Sequence, residues 1–123
     1  MSRSVIFVAI GGMLGAVARF GAVEAIASLL PFTFPSGTFI VNIVGSFVMG
    51  AAVGMSERYM IQAEWRIFLT AGFCGGFTTM SSFAFENVTL LIDRYYGTFA
   101  VYSIATFIAC LAAAFLGFVL TRS

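Results

Sequence analysis

The sequence predicts an all-α membrane protein of four transmembrane helices, the third broken near its centre. Three observations carry this. Of 123 residues, 61% are hydrophobic and only 9% charged, whereas a soluble domain has about 25% charged residues. Four apolar segments each meet the ~20 residues needed to cross about 30 Å of hydrocarbon. One of them, "FLTAGFCGGFTTMSSFAF", gathers Gly75, Gly76, Thr78, Thr79, Ser81 and Ser82 at its centre.

The segments run approximately over residues 4–30, 37–55, 65–92 and 98–120 of a single domain spanning 1–123. The separators "PFTFPS", "SERYMIQAE" and "DRYYG" hold both prolines and five of the eleven charged residues. No segment alternates as a strand would, and only helices or closed barrels satisfy their own backbone in lipid. A four-helix bundle follows, with both termini on one side. Arg3, an apolar stretch and "AVA" at 16–18 mimic a secretory leader. The apolar run resumes past Ala18, and cleavage would leave three helices, so a retained first helix is expected. Arg3, Arg58, Arg66 and Arg122 lie on the side of the termini and Arg94 on the other, a mild lean toward termini inside. So small a bias also allows insertion both ways.

Each segment has its own chemistry. Segment one carries Arg19 near its middle and Glu24 beyond it. Segment two, "GTFIVNIVGSFVMG", places Thr38, Asn42 and Ser46 four apart, on one helix face. Asn42 is costly in lipid and should face protein or water; an interhelical hydrogen bond and a polar route both fit. Segment four repeats the pattern with Tyr102, Thr106 and Cys110, continued by Ala114. In segment three, Gly75 and Gly76 each weaken a helix by ~1 kcal/mol relative to Ala. The neighbouring hydroxyls can take backbone bonds in place of the regular ladder. A break there frees carbonyls, which suit a hard cation, and amides, which suit an anion; a simple kink satisfied by hydroxyls also fits. Phe83 and Phe85 follow the break, and a ring edge is electropositive. Gly11 and Gly15, Gly50 and Gly54, and Gly72 and Gly76 are spaced for close helix contact. So short a chain encloses little by itself, and a homo-oligomer is expected.

Several functions are disfavoured. A net charge of +1 lacks the basic stripe of a nucleic-acid binder. There is no His, no metal-ligating cluster and no nucleophile–base pair, so an enzyme is not expected. Cys74 and Cys110 sit in apolar runs and read as small apolar side chains.

These motifs resemble those of the Fluc/CrcB fluoride channels over nearly the whole chain. "GGMLGAVARF" is similar to the first-helix signature, "PSGTFIVNIVGSFVMG" to the second-helix pattern GTLxVNxxG, and "TAGFCGGFTTMSSFAFE" to the third-helix pattern TGFxGGxTTFSTFSxE. The resemblance implies an antiparallel, dual-topology homodimer in the bacterial inner membrane. Such a dimer exports fluoride passively through two pores and so reduces its toxicity. It implies a structural Na⁺ at the dimer centre, held by carbonyls of Gly75 and Thr78 from both subunits. It further implies a fluoride path along Asn42, Met80, Ser81, Phe83, Tyr102, Thr106 and Cys110, with Arg19 and Glu86 in the vestibule. The chain departs from the pattern at Met80, where the family has a phenylalanine, at Ser82 for Thr, and at Cys110 for Ser. Phe83 is then expected to carry the aromatic contact and Met80 to be tolerated. The competing readings are a small four-helix multidrug transporter, which needs an embedded glutamate for which only Glu24 qualifies, and a non-transporting assembly subunit.

Overall fold

The computed structural model describes residues 2–30 and 34–122; Pro31 of the first separator lies outside them. Helix α1 (Ser2–Leu29) and helix α2 (Ser36–Tyr59) are long and unbroken. Helix α3 comprises an α-helical start (Ala63–Ile67), a π-helical stretch (Phe68–Cys74) and a last turn (Gly75–Phe77). Helix α4 (Met80–Ile92) resumes two residues later, and α5 (Tyr96–Arg122) closes the chain. Counting α3 and α4 as one span, Ala63–Ile92, the described residues hold four helices long and apolar enough to cross a membrane.

The helix ends are built locally. α2 stops where Met60 turns left-handed (φ 54°) and its N–H bonds Ser56 O at 3.0 Å. After α4, Arg94 is left-handed (φ 66°). Its N–H reaches Leu91 O at 3.1 Å and that of Tyr95 reaches Leu90 O at 2.8 Å. This paired closure reverses the chain within two residues and releases it into α5.

Side-chain-free seams bring the helices together. Without a water-driven hydrophobic force in lipid, close packing must hold the bundle. α2 and α5 run parallel, with Gly50 against Ala114 and Gly54 against Phe118. A Cβ at Gly50 would overlap the Ala114 carbonyl, and one at Gly117 would overlap that of Phe47. α1 lies on α3 in the same way: Gly11 faces the backbone of Phe68 and Gly72, and Gly15 that of Phe73. The π turns of α3, in which the Gly75 N–H reaches both Gly72 O and Thr70 O, widen the helix within this seam. The largest fully buried side chains are Tyr102, Val41, Thr38 and Cys74, so the core is thin and follows α2. Most large apolar side chains face outward, as lipid requires.

Two alanine substitutions should therefore have opposite signs. Gly21 has nothing within 4 Å of a built Cβ, so Gly21→Ala should stabilise by ~0.5–1 kcal/mol. Gly50→Ala must displace a backbone carbonyl and should cost about 1–3 kcal/mol. Thermal unfolding in detergent measures both; equal effects would contradict the seam.

Candidate functional site

The interruption in the third span falls at Thr78 and Thr79, not at the glycines. Gly75 is helical (φ −62°, ψ −37°), whereas Thr78 (φ −85°, ψ 158°) and Thr79 (φ −150°, ψ 112°) are extended. This corrects the expectation that weak helix propensity at Gly75 and Gly76 opens the backbone. Gly76 serves close approach instead: its Cα lies against Gly12 and Ala16 of α1, where a Cβ would not fit.

Hydrogen bonds hold the two extended residues. Asn42 Oδ1 accepts from the Thr79 N–H at 2.8 Å, and Asn42 Nδ2 donates to Thr79 O at 3.2 Å. One amide side chain thus satisfies both backbone groups of a residue at mid-span. Thr79 Oγ1 caps α4 by accepting from the Ser82 N–H at 3.0 Å. Thr78 bonds back to α3, its N–H and its hydroxyl both reaching Cys74 O, at 2.9 and 2.8 Å. Gly45 makes the approach possible, since a Cβ there would collide with Thr78 Cγ2.

These bonds have a consequence for the carbonyls. In a continuous helix Gly75 O would accept from the Thr79 N–H, and Thr78 O from the Ser82 N–H. Both donors are diverted, one to Asn42 and the other to Thr79 Oγ1. Gly76 O is taken instead by Arg19 Nε at 3.1 Å. Arg19 therefore sits at the negative end of the α3 dipole. The carbonyls of Gly75, Phe77 and Thr78 are left without their helical partners.

Beside the break lies a cavity of about 450 Å³. Asn42, Met80, Phe83, Thr106 and Cys110 line it, as do Thr78 and Thr79. The two stripes run side by side, because Thr38 of α2 and Tyr102 of α5 meet on one carboxylate. Thr38 Oγ1 donates to Glu86 Oε2 at 2.7 Å, and the Tyr102 hydroxyl to Oε1 at 2.8 Å. Farther along both helices, Asn42 and Ser46 on one and Thr106 and Cys110 on the other share the cavity wall. Thr106 Oγ1 is buried and has no hydrogen-bond partner among the described residues. Phe83 packs its ring on Tyr102, centroids 5.0 Å apart, and Tyr102 itself is fully buried behind it.

The remaining predicted residues lie elsewhere. Ser81 is exposed, its hydroxyl 3.3 Å from Thr79 Oγ1. Gly75 is exposed, and Met80 is 74% exposed although it borders the cavity. The cavity thus opens sideways through the surface of a single chain. Glu86, with Pro35 and Asp93, borders a second and smaller pocket. Phe85 points away from the first cavity, is 70% exposed and borders the second. Sequence reasoning gave Met49 and Cys74 no part in the site, yet both line the cavity, as does Thr79, whose hydroxyl was expected only to take a backbone bond. For Thr79 a signal existed: a threonine three residues before a backbone amide at a helix start is a cap. Asn87, whose buried Oδ1 is also unpartnered, carried no periodic signal.

Residues 6–118 match the family model described as "CrcB-like protein, Camphor Resistance (CrcB)". The chain belongs to this family. It is 41% identical to a protein of Bacteroides fragilis named fluoride-specific ion channel FluC, over 94% of this chain and 96% of that one. Proteins of the same name from Koribacter versatilis and Pyrococcus abyssi are 38% and 37% identical, each over 98% of this chain and 97% of the relative. These relatives are named as channels rather than enzymes, and the four apolar helices of this chain make it a multi-pass membrane protein.

The Asn42 clamp is open to direct test. Asn42→Leu strands the Thr79 N–H, at a cost of about 1–3 kcal/mol, while the Thr79 C=O, at the N-cap, keeps the first bond of α4. A loss of at least about 1 kcal/mol is expected from thermal unfolding in detergent. A loss under about 0.5 kcal/mol would mean that water or another group holds Thr79.

Proposed function

We propose that the protein is a fluoride-selective channel that lets the anion leave the cytoplasm passively and so limits its toxicity. The observation that carries this reading is the unpartnered Thr106 hydroxyl in a mid-span cavity that no charged side chain lines. A buried hydroxyl without an acceptor is a donor awaiting one. The first turn of α4 adds amide N–H groups that no helical carbonyl can take. Neutral donors fit a small, strongly accepting anion and release it more readily than a fixed charge would. The names of the relatives, fluoride-specific ion channels, supply the identity of the anion.

In this reading the path runs past Asn42, Thr106 and Cys110 to Phe83, with Ser81 and Met80 at the open side. Asn42 is mostly committed to Thr79, so it shapes the path more than it binds in it. Phe83 offers a ring edge, and Tyr102 backs that ring while sharing Glu86 with Thr38. Glu86 flanks the route at one end, and Arg19 is held at the level of the break by Gly76 O.

The full channel is an antiparallel, dual-topology homodimer with two such paths. Support comes from the face that a single chain leaves open: Gly75, Met80 and Ser81 are all exposed at the level of the break. A second copy would close the cavity there. The site also fits a central Na⁺. Hard cations take oxygen ligands, and the carbonyls of Gly75 and Thr78 have both lost their helical donors. From two chains these would hold the ion, whose charge would offset two half-helix C-termini. The bacterial inner membrane is the proposed location. A proton-coupled transporter is disfavoured because its only candidate carboxylate in the first span, Glu24, is exposed on α1.

Fluoride-electrode efflux from liposomes, with chloride as control, tests this. Wild type should release fluoride and not chloride. Phe83→Ile should cut the rate at least tenfold, and Met80→Phe should change it by less than tenfold. A hundredfold rise with Met80→Phe would assign the missing work to the second ring, and intact flux in Phe83→Ile would remove the ring edge from the mechanism.

A further inference from the structure

Met49 and Cys74 line the cavity, and the anion path uses neither. With Met80 and Cys110 they set four sulfur side chains around one space of about 450 Å³, one from each of α2, α3, α4 and α5. These are both cysteines of the chain and two of its six methionines. Met13, Met55 and Met60 are exposed on the outer surface instead. Neither cysteine is in a disulfide; Cys74 is fully buried and Cys110 half-buried.

The kind of ligand follows from what else the cavity offers. No charged side chain lines it, and among the described residues no three His, Cys, Asp or Glu side chains cluster. Zinc and other borderline metals therefore lack a ligand set. Thiolate and thioether sulfur select soft ions such as copper(I). Charge points the same way. A monovalent ion on one thiolate forms a neutral unit, whereas a divalent ion would leave net charge in a low-dielectric cavity, at high cost. Methionine suits the remaining contacts, because three rotatable bonds let an unbranched side chain bring its sulfur to an ion.

We propose that this cavity is a site for a soft monovalent metal ion of the copper(I) class, and that the bound ion blocks the anion path. Cys110 is the anchoring ligand, since it is the more accessible of the two thiols. A copper–sulfur bond replaces its S–H bond, the proton passes to water, and no electron is transferred. Met80, at the open side, and Met49 supply neutral thioethers. Cys74 keeps its proton, because a second thiolate would restore a net charge. Cys110 and Met80 both border the path, so an ion held by them stands where the anion must pass. The block rests on the reading of this cavity as the fluoride path; the binding does not.

The test is titration of copper(I) into the full-length protein in detergent, oxygen-free and with ascorbate, against a chromophoric copper(I) chelator. No flux enters this readout. Wild type should take one copper per chain from the chelator, and a tenfold excess of zinc should not displace it. Cys110→Ser should weaken the affinity at least tenfold and Met80→Leu at least threefold, while Met13→Leu, on the outer surface, should change it by less than twofold. Fluoride efflux from liposomes, each variant scaled to its own copper-free rate, should fall at least tenfold with copper in wild type and less than twofold in Cys110→Ser. Copper left on the chelator by wild type overturns the proposal. So does a loss below tenfold in Cys110→Ser, or below threefold in Met80→Leu if the serine variant does not fold. Copper bound with efflux unchanged overturns the block alone. A wild type that binds copper and releases no fluoride overturns the channel reading and the block with it, and leaves the metal site standing.

Discussion

A single amide side chain makes the rest of this structure possible. Interrupting a helix in the middle of a membrane strands backbone groups where no water can satisfy them, at several kcal/mol each. Asn42 meets that cost for Thr79 with two bonds, one to its N–H and one to its C=O. Thr79 then spends its hydroxyl on Ser82, and α4 can start. Gly45 is the geometric condition, because only a residue without a side chain lets α2 come this close to Thr78.

The chemistry follows from where the diverted bonds leave vacancies. On one side, the last carbonyls of α3 and that of Thr78 lose their helical donors; on the other, the first turn of a helix presents amides to a cavity. A continuous helix would offer neither. The parallel contact of α2 with α5 then sets a hydroxyl, Thr106, across from the break with nothing to bind. The stabilising contacts and the functional groups are therefore neighbours on the same few turns. Changes that loosen the α2–α5 seam, at Gly50 or Gly117, should disturb the path without touching it.

Much of this was legible in the sequence, for physical reasons. Span number follows from length and hydropathy. The two polar stripes follow from the four-residue spacing, and the structure sets Asn42 and Ser46 of one and Thr106 and Cys110 of the other on one cavity. The position of the break was less legible. Glycine looks like the weak point because its helix propensity is low, but Gly76 answers to the backbone of α1, and packing overrides propensity. Thr78 and Thr79 break the helix because partners elsewhere in the chain accept what they release. Those partners, Asn42 at 37 residues' remove and Arg19 at 57 from Gly76, are contacts that no local pattern encodes. Met80 had a family pattern to depart from but no partner to predict, and it borders the cavity from the open side.

Residue-resolved amide hydrogen exchange tests the central claim most directly. If Asn42 and Thr79 Oγ1 hold the break, the N–H groups of Thr79 and Ser82 should exchange as slowly as those within α3, and that of Met80 at least a hundredfold faster. In Asn42→Ala the Thr79 protection should vanish while α1 and α5 keep theirs. Exchange at Thr79 as fast as at Met80 in the unmodified protein would contradict the account.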